Sequence, residues 1–254
     1  MDIVIVGSGH VATVMGRKMI AAGHRVIQVA GRNEATASQL ALRLGALFTT
    51  DFSQLDKSAS MYFIAIPDNA LYGVGQWLNT GKTLTVHTAG SVTKNVLKEV
   101  SSNYGVIYPL QSMRADVEEI PEIPLLVDGS SAETLTLIHD FAQSLSSRVE
   151  PADDDYRKKI HLAAVFTGNF SNHLFALCEK YCEKESLDFS LLFPLLKVSV
   201  ERLQFYQPGL MQTGPAIRND YLTIEKHLQM LDEYLLLKKI YEMMTSSIKT
   251  FHGK

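Results

Sequence analysis

Residues 3–12 run from an uninterrupted apolar segment, Ile3-Val4-Ile5-Val6, directly into Gly7-Ser8-Gly9-His10-Val11-Ala12. A G-x-G-x-x-A pattern is weak by itself and becomes informative when a strand precedes it and a helix follows. Here Val11 to Ala22 is amphipathic and stops at Gly23, a residue suited to closing a helix. Gly7 permits the tight turn, Gly9 lets backbone approach a phosphate, and Ala12 and Gly16 are small enough for close helix–strand packing. The pattern predicts a dinucleotide-binding unit in which Gly7, Ser8, Gly9, His10 and Val11 surround a pyrophosphate at a helix N-terminus. An ordinary glycine turn is the plain alternative.

The second predicted strand, Arg25 to Val29, ends at Ala30-Gly31-Arg32-Asn33, about twenty residues after the glycines. An NAD site usually places Asp or Glu there, on the ribose 2′-hydroxyl. No acid is present, and an arginine's planar fork fits a phosphate. Arg32 therefore reads as the ligand of a 2′-phosphate, with Asn33 as a second donor, and the expected cofactor is NADP(H). A solvated surface arginine is the competing explanation.

Up to about residue 150, short apolar runs alternate with amphipathic stretches: 3–6, 25–29, 46–48, 61–66, 83–87, 105–108 and 123–127. That alternation predicts an α/β fold, a Rossmann-type doubly wound and mostly parallel sheet. Pro151 and Asp153-Asp154-Asp155 then form a helix start. Segments 154–185, 188–206 and 221–250 carry helical spacing, so residues 151–254 are expected to form an all-α domain behind a 1–150 NADP-binding domain.

Ligands in such sheets bind beyond the carboxyl ends of strands. Ile66-Pro67 after the fourth strand and His87 at the end of the fifth are therefore expected beside the cofactor, with Ala89, Gly90 and Ser91 bordering the substrate. For His87 a structural role is as well supported as a functional one. On the helix from Asp154, residues Lys158, His161, Val165, Asn169, Asn172 and His173 fall on one arc at helical spacing, with Phe166, Phe170, Leu174 and Leu177 on the side suited to burial. Such an arc can bind a polar substrate or can simply face water. Arg218, in the loop before Asp220, is a candidate for a substrate carboxylate or for a structural ion pair.

With 24 Lys and Arg against 27 Asp and Glu in 254 residues, no overall positive field favours nucleic acid or an anionic membrane. No apolar stretch is long enough for a membrane span, and no export signal precedes Ile3, so a cytoplasmic protein acting on a small molecule is expected. Cys178 and Cys182 supply only two sulfurs on one helix face, and no metal site is expected.

The glycine loop, His87-Thr88-Ala89-Gly90-Ser91, Tyr108-Pro109-Leu110-Gln111, His161-Leu162-Ala163-Ala164 with Asn169, and Thr213-Gly214-Pro215 with Arg218 and Asp220 together resemble one group of enzymes. It is the superfamily of 6-phosphogluconate dehydrogenase, β-hydroxyacid dehydrogenases, pyrroline-5-carboxylate reductase and deazaflavin-dependent NADP reductases. The chain is most similar to a bacterial group of Rossmann-like NADP oxidoreductases with a 6-phosphogluconate-dehydrogenase-like helical C-terminal domain. The resemblance covers nearly the whole chain. It implies hydride transfer between NADP(H) and a small hydroxy acid, oxo acid or imine at the domain interface, and a homodimer built through the helical domain. β-Hydroxyacid dehydrogenases carry a catalytic lysine three residues before the asparagine of this helix, whereas Phe166 stands there. Without that lysine, the proton donor expected for a carbonyl is His161, then His173, with Lys158 supplying charge. A non-catalytic NADP-binding sensor or scaffold is the other reading of the missing lysine.

Overall fold

The computed structural model describes residues 1–253 and divides into two compact units, Met1–Asn169 and Phe170–Lys254. The first is built on one eight-stranded sheet. Its strands are β1 (Asp2–Val6), β2 (Arg25–Ala30), β3 (Leu47–Thr49), β4 (Met61–Ile64), β5 (Leu84–His87), β6 (Tyr104–Pro109), β7 (Leu125–Gly129) and β8 (Val149–Pro151). Their order is β3-β2-β1-β4-β5-β6-β7-β8, and all pairings are parallel except β6 with β7. The chain reverses its direction of growth between β1 and β4, opening the crevice used by ligands of such sheets.

Helices α1 (His10–Ala21), α2 (Glu34–Leu44) and α4 (Ala132–Leu145) border this sheet in the sequence, as does the short α3 (Asp68–Leu71). Ile3 and Ile5 pack with Met15 and Met19 of α1 and Phe141 of α4 in one buried cluster, while Val4, Val6, Tyr62 and Ile64 belong to another with Leu71 and Leu97. Alternate residues of β1 thus feed separate apolar clusters, so the strand reads as a continuous apolar run. Every residue of Ile3–Val6 is fully buried.

Helix α5 (Asp154–Ala164) closes the first unit. Asp153 caps it by accepting the Tyr156 N–H, and Ile160 seats it on Val106, Tyr108, Leu126 and Ala152. The helical spacing expected over 154–185 is met through residue 184, with a change of helix type inside it. A π-helical turn at Val165–Phe170 separates α5 from α6 (Ser171–Lys184), so spacing arithmetic from His161 to Asn172 and His173 breaks at that turn. Phe166 and Phe170, expected to be buried, are 60% and 51% exposed.

The second unit contains α6, α7 (Phe193–Glu201), α8 (Tyr221–Met230) and α9 (Leu235–Phe251). The segment expected as one helix over 221–250 breaks around Leu231–Tyr234, where Leu231 turns inward and is buried. Large apolar side chains of this unit, including Leu191, Leu195, Phe205 and Leu222, are exposed. Among the described residues, no helix is long and apolar enough to cross a membrane, and no cluster of side chains could hold a metal ion.

Candidate functional site

Gly7 adopts φ +120°, and a Cβ there would lie 2.1 Å from the Ala65 carbonyl oxygen. Only glycine lets β1 turn this close to the chain leaving β4. A Cβ on Gly9 would meet nothing within 4 Å, so the loop faces open space at the start of α1. Gly9 is the N-cap, and no side chain caps the helix there. The first amides of a helix have no intrahelical acceptor, and here no side chain replaces one, so they remain available to an anion.

That loop lines a cleft of about 720 Å³ together with Arg32, Asn33, Ile66, Pro67, Phe52 and Trp77. No carboxylate is among the lining residues. Arg32 is exposed at its edge, while Asn33 spends its side-chain oxygen capping α2 through the Thr36 N–H at 3.0 Å. Its amide hydrogens remain as donors. Ser8 is tied to Thr36 by a 2.7 Å hydroxyl–hydroxyl bond, and His10 Nδ1 accepts the Ala115 N–H at 3.0 Å. Half-buried Val11 packs into the core. Phe52 and Trp77 pack with ring centroids 4.7 Å apart and planes tilted by 53°, an aromatic wall that the sequence reading overlooked. Its signal was a lone tryptophan after the fourth strand. The donor set and absence of acid fit a dinucleotide bearing a 2′-phosphate. A cavity of about 700 Å³ at the opposite strand ends, around His24 and Asn103, is lined by Lys82 and by the carboxylate of Asp140, with no glycine loop or arginine in its lining.

The loop after β5 forms a second cluster. Ala89 and Gly90 are buried, and a Cβ on Gly90 would lie 2.8 Å from Tyr108 Cζ and 3.0 Å from His161 Nδ1. The Tyr108 hydroxyl lies 2.9 Å from that same nitrogen. Burial, then the negative charge of Asp68, raises Tyr108 above the ordinary phenol value, so the hydroxyl keeps its proton and can donate to Nδ1. A neutral imidazole then carries its hydrogen on Nε2. Ser91 donates to the carboxylate of Asp68.

His87 is placed differently. It is fully buried, its Nδ1 accepts the Ala89 N–H and its Nε2 lies 3.2 Å from the Thr93 carbonyl. Both nitrogens serve the loop that follows, so the ring supports that loop instead of lining the cleft. Burial first, and the positive charge of Arg157 second, push it down to about 4.

Beneath the loop lies Arg157, fully buried and unforeseen in the sequence reading. It donates to the Val92 carbonyl at 2.8 Å and pairs with Asp154 at 2.5 Å, while Lys94 pairs with Asp128 at 2.8 Å. Asp154 also accepts from Thr93 and from the Lys94 N–H. These contacts lash α5 to the β5 loop one helical turn before His161. The Asp154–Arg157 spacing of three was the available signal. Of the other expected site residues, Lys158 and Asn169 are exposed in the first unit, and Asn172, His173 and Arg218 are exposed in the second.

Comparisons with known proteins agree with this layout. Residues 2–89 match the family described as NADP oxidoreductase, coenzyme F420-dependent, and residues 123–248 match a domain of unknown function, DUF2520. A Bacteroides fragilis protein classed as an NADP oxidoreductase is 35% identical, with a TM-score of 0.92 over 100% of this chain and 98% of its own. An imine reductase of Myxococcus stipitatus shares the fold at 17% identity, with a TM-score of 0.64 over 98% of this chain and 93% of its own. A 1-pyrroline-5-carboxylate reductase of Streptococcus pyogenes does so at 12% identity, with a TM-score of 0.65 over 98% of both chains. No functionally curated protein matches.

Proposed function

From its place in the family of Rossmann-fold NADP oxidoreductases, to which this chain belongs, we propose that it is an NADP(H)-dependent reductase of a small polar carbonyl or imine compound. One observation carries the reading. An uncapped helix N-terminus, Gly9 opening onto free space and Arg32 all border one cleft that has no carboxylate in its lining. In this reading the α1 amides hold the pyrophosphate, Arg32 and the Asn33 amide hold the 2′-phosphate, and Phe52 and Trp77 flank the adenine end. Ile66 and Pro67 lead toward the nicotinamide.

When bound, the reduced nicotinamide supplies a hydride. The chain's own task is then to place the substrate against the Gly90–Ser91 loop and to manage a proton. His161 Nε2 delivers it, with Tyr108 fixing the imidazole through Nδ1, and Lys158 adds positive charge on the same helix. In this reading His173, Asn169, Asn172 and Arg218 supply further polar contacts to the substrate. The exposed apolar side chains of the helical unit support a homodimer, since a monomer seldom leaves so many uncovered.

Incubating the protein with NADPH and a panel of small carbonyls and imines, while following loss of the reduced nucleotide, tests the reading. Turnover with any member supports an enzyme. Nucleotide binding with no turnover across the panel favours the sensor or scaffold.

A further inference from the structure

The chain leaves the nucleotide cleft through Pro67 and reaches Asp68, an exposed carboxylate that accepts from the Ser91 hydroxyl. Ser91 adjoins Gly90, whose missing Cβ leaves the backbone tight against Tyr108 and His161. Asp68, Ser91, Gly90, Tyr108 and His161 therefore form one continuous set at the carboxyl ends of β4, β5 and β6.

The charges under the loop cancel. Asp128 is paired with Lys94 and Asp154 with Arg157, leaving two anions against two cations. Asp68, by contrast, makes no ion pair among the described residues. The charged group that acts on Tyr108 is also Asp68. Among these five residues Asp68 carries the negative charge, and its carboxylate suits a cation and opposes an anion or a developing alkoxide beside it.

We infer that Asp68 sets the substrate class: the site takes a small molecule reduced as its positively charged iminium ion, in preference to a carboxylate-bearing oxo acid. This rests on the NADP(H) reductase reading. A neutral imine accepts the Nε2 proton from the imidazolium form of His161, which is left neutral, and Asp68 stabilises the iminium cation so formed. The iminium carbon then takes the hydride with its electron pair, and the C=N π pair becomes the nitrogen lone pair. The positive charge passes from substrate to nicotinamide, so one positive charge remains near Asp68 throughout.

The test is a binding measurement on the full chain saturated with NADPH. Pyrrolidine, a cyclic ammonium ion at neutral pH, is titrated calorimetrically beside neutral tetrahydrofuran and anionic propionate, on wild type, Asp68→Asn and Asp68→Glu. NADPH binding, read first from quenching of Trp77, is expected in all three. The ammonium probe should bind wild type and Asp68→Glu, and bind Asp68→Asn at least about tenfold more weakly. Propionate should bind wild type more weakly than the ammonium ion. Equal ammonium affinity in Asp68→Asn, no ammonium binding to wild type, or tighter propionate binding overturns the assignment while NADPH binding stands. Failure of wild type to bind NADPH overturns the underlying reading and the inference with it.

Discussion

The Tyr108 hydroxyl on β6 lies 2.9 Å from Nδ1 of His161 on α5. The bond fixes the imidazole edge-on to the phenol, ring centroids 5.8 Å apart, and leaves Nε2 as the donor.

Removing that bond is expected to slow turnover without loosening the nucleotide. Tyr108→Phe should lower kcat about tenfold and His161→Ala about a hundredfold, within the range for loss of a positioned proton donor. Trp77 quenching by NADPH should be unchanged in both. Full kcat in His161→Ala, with any confirmed substrate, would remove the histidine from the mechanism.

Arg157 should matter to stability more than its place one turn before His161 suggests. Arg157→Met leaves Asp154 without its ion-pair partner, removes the longer 3.8 Å contact to Asp128 and breaks the bond to the Val92 carbonyl. Breaking a buried pair from one side costs about 3–5 kcal/mol, which for a chain of this size lowers Tm by about 10 °C. Scanning calorimetry checks this. A shift of only a degree or two would show that the cluster is not holding α5 in place.

His87 makes stability depend on pH. Its folded-state value, pushed down to about 4, lies below the ordinary imidazole value near 6.5. Between these the unfolded chain binds a proton that the folded chain does not. The contribution is fully present above about pH 6.5 and is lost as pH falls toward 4, reaching about 3 kcal/mol at the acid end. The urea midpoint should therefore drop between about pH 7 and 4.5, and drop less in His87→Gln. An identical acid loss in the variant would place the titrating group elsewhere.

What the sequence made legible was whatever depends on local pattern. Apolar runs marked seven of the eight strands, since a strand covered on both faces has no polar alternation to hide it. The strand Val149–Pro151 escaped because it is only three residues long and contains Glu150 and Pro151. The glycine loop was readable because Gly7 answers a demand of one backbone position. Contacts over long sequence distances were not. Tyr108 meets His161 across 53 residues, and Arg157 meets Val92 across 65. Neither pairing leaves a periodic trace. The polar arc along α5 failed beyond Val165 because its arithmetic assumed unbroken α-helical spacing, and a π turn has a different one.

The central claim is that Arg32 and the α1 N-terminus form an NADP(H) site. Parallel calorimetric titration with NADPH and NADH, on wild type and Arg32→Ala, tests it most directly. The account predicts that wild type prefers NADPH and that Arg32→Ala loses about ten- to a hundredfold in NADPH affinity, the worth of hydrogen bonds to a charged group, while NADH affinity hardly changes. Equal affinity for the two nucleotides in wild type, or binding of neither, would contradict it.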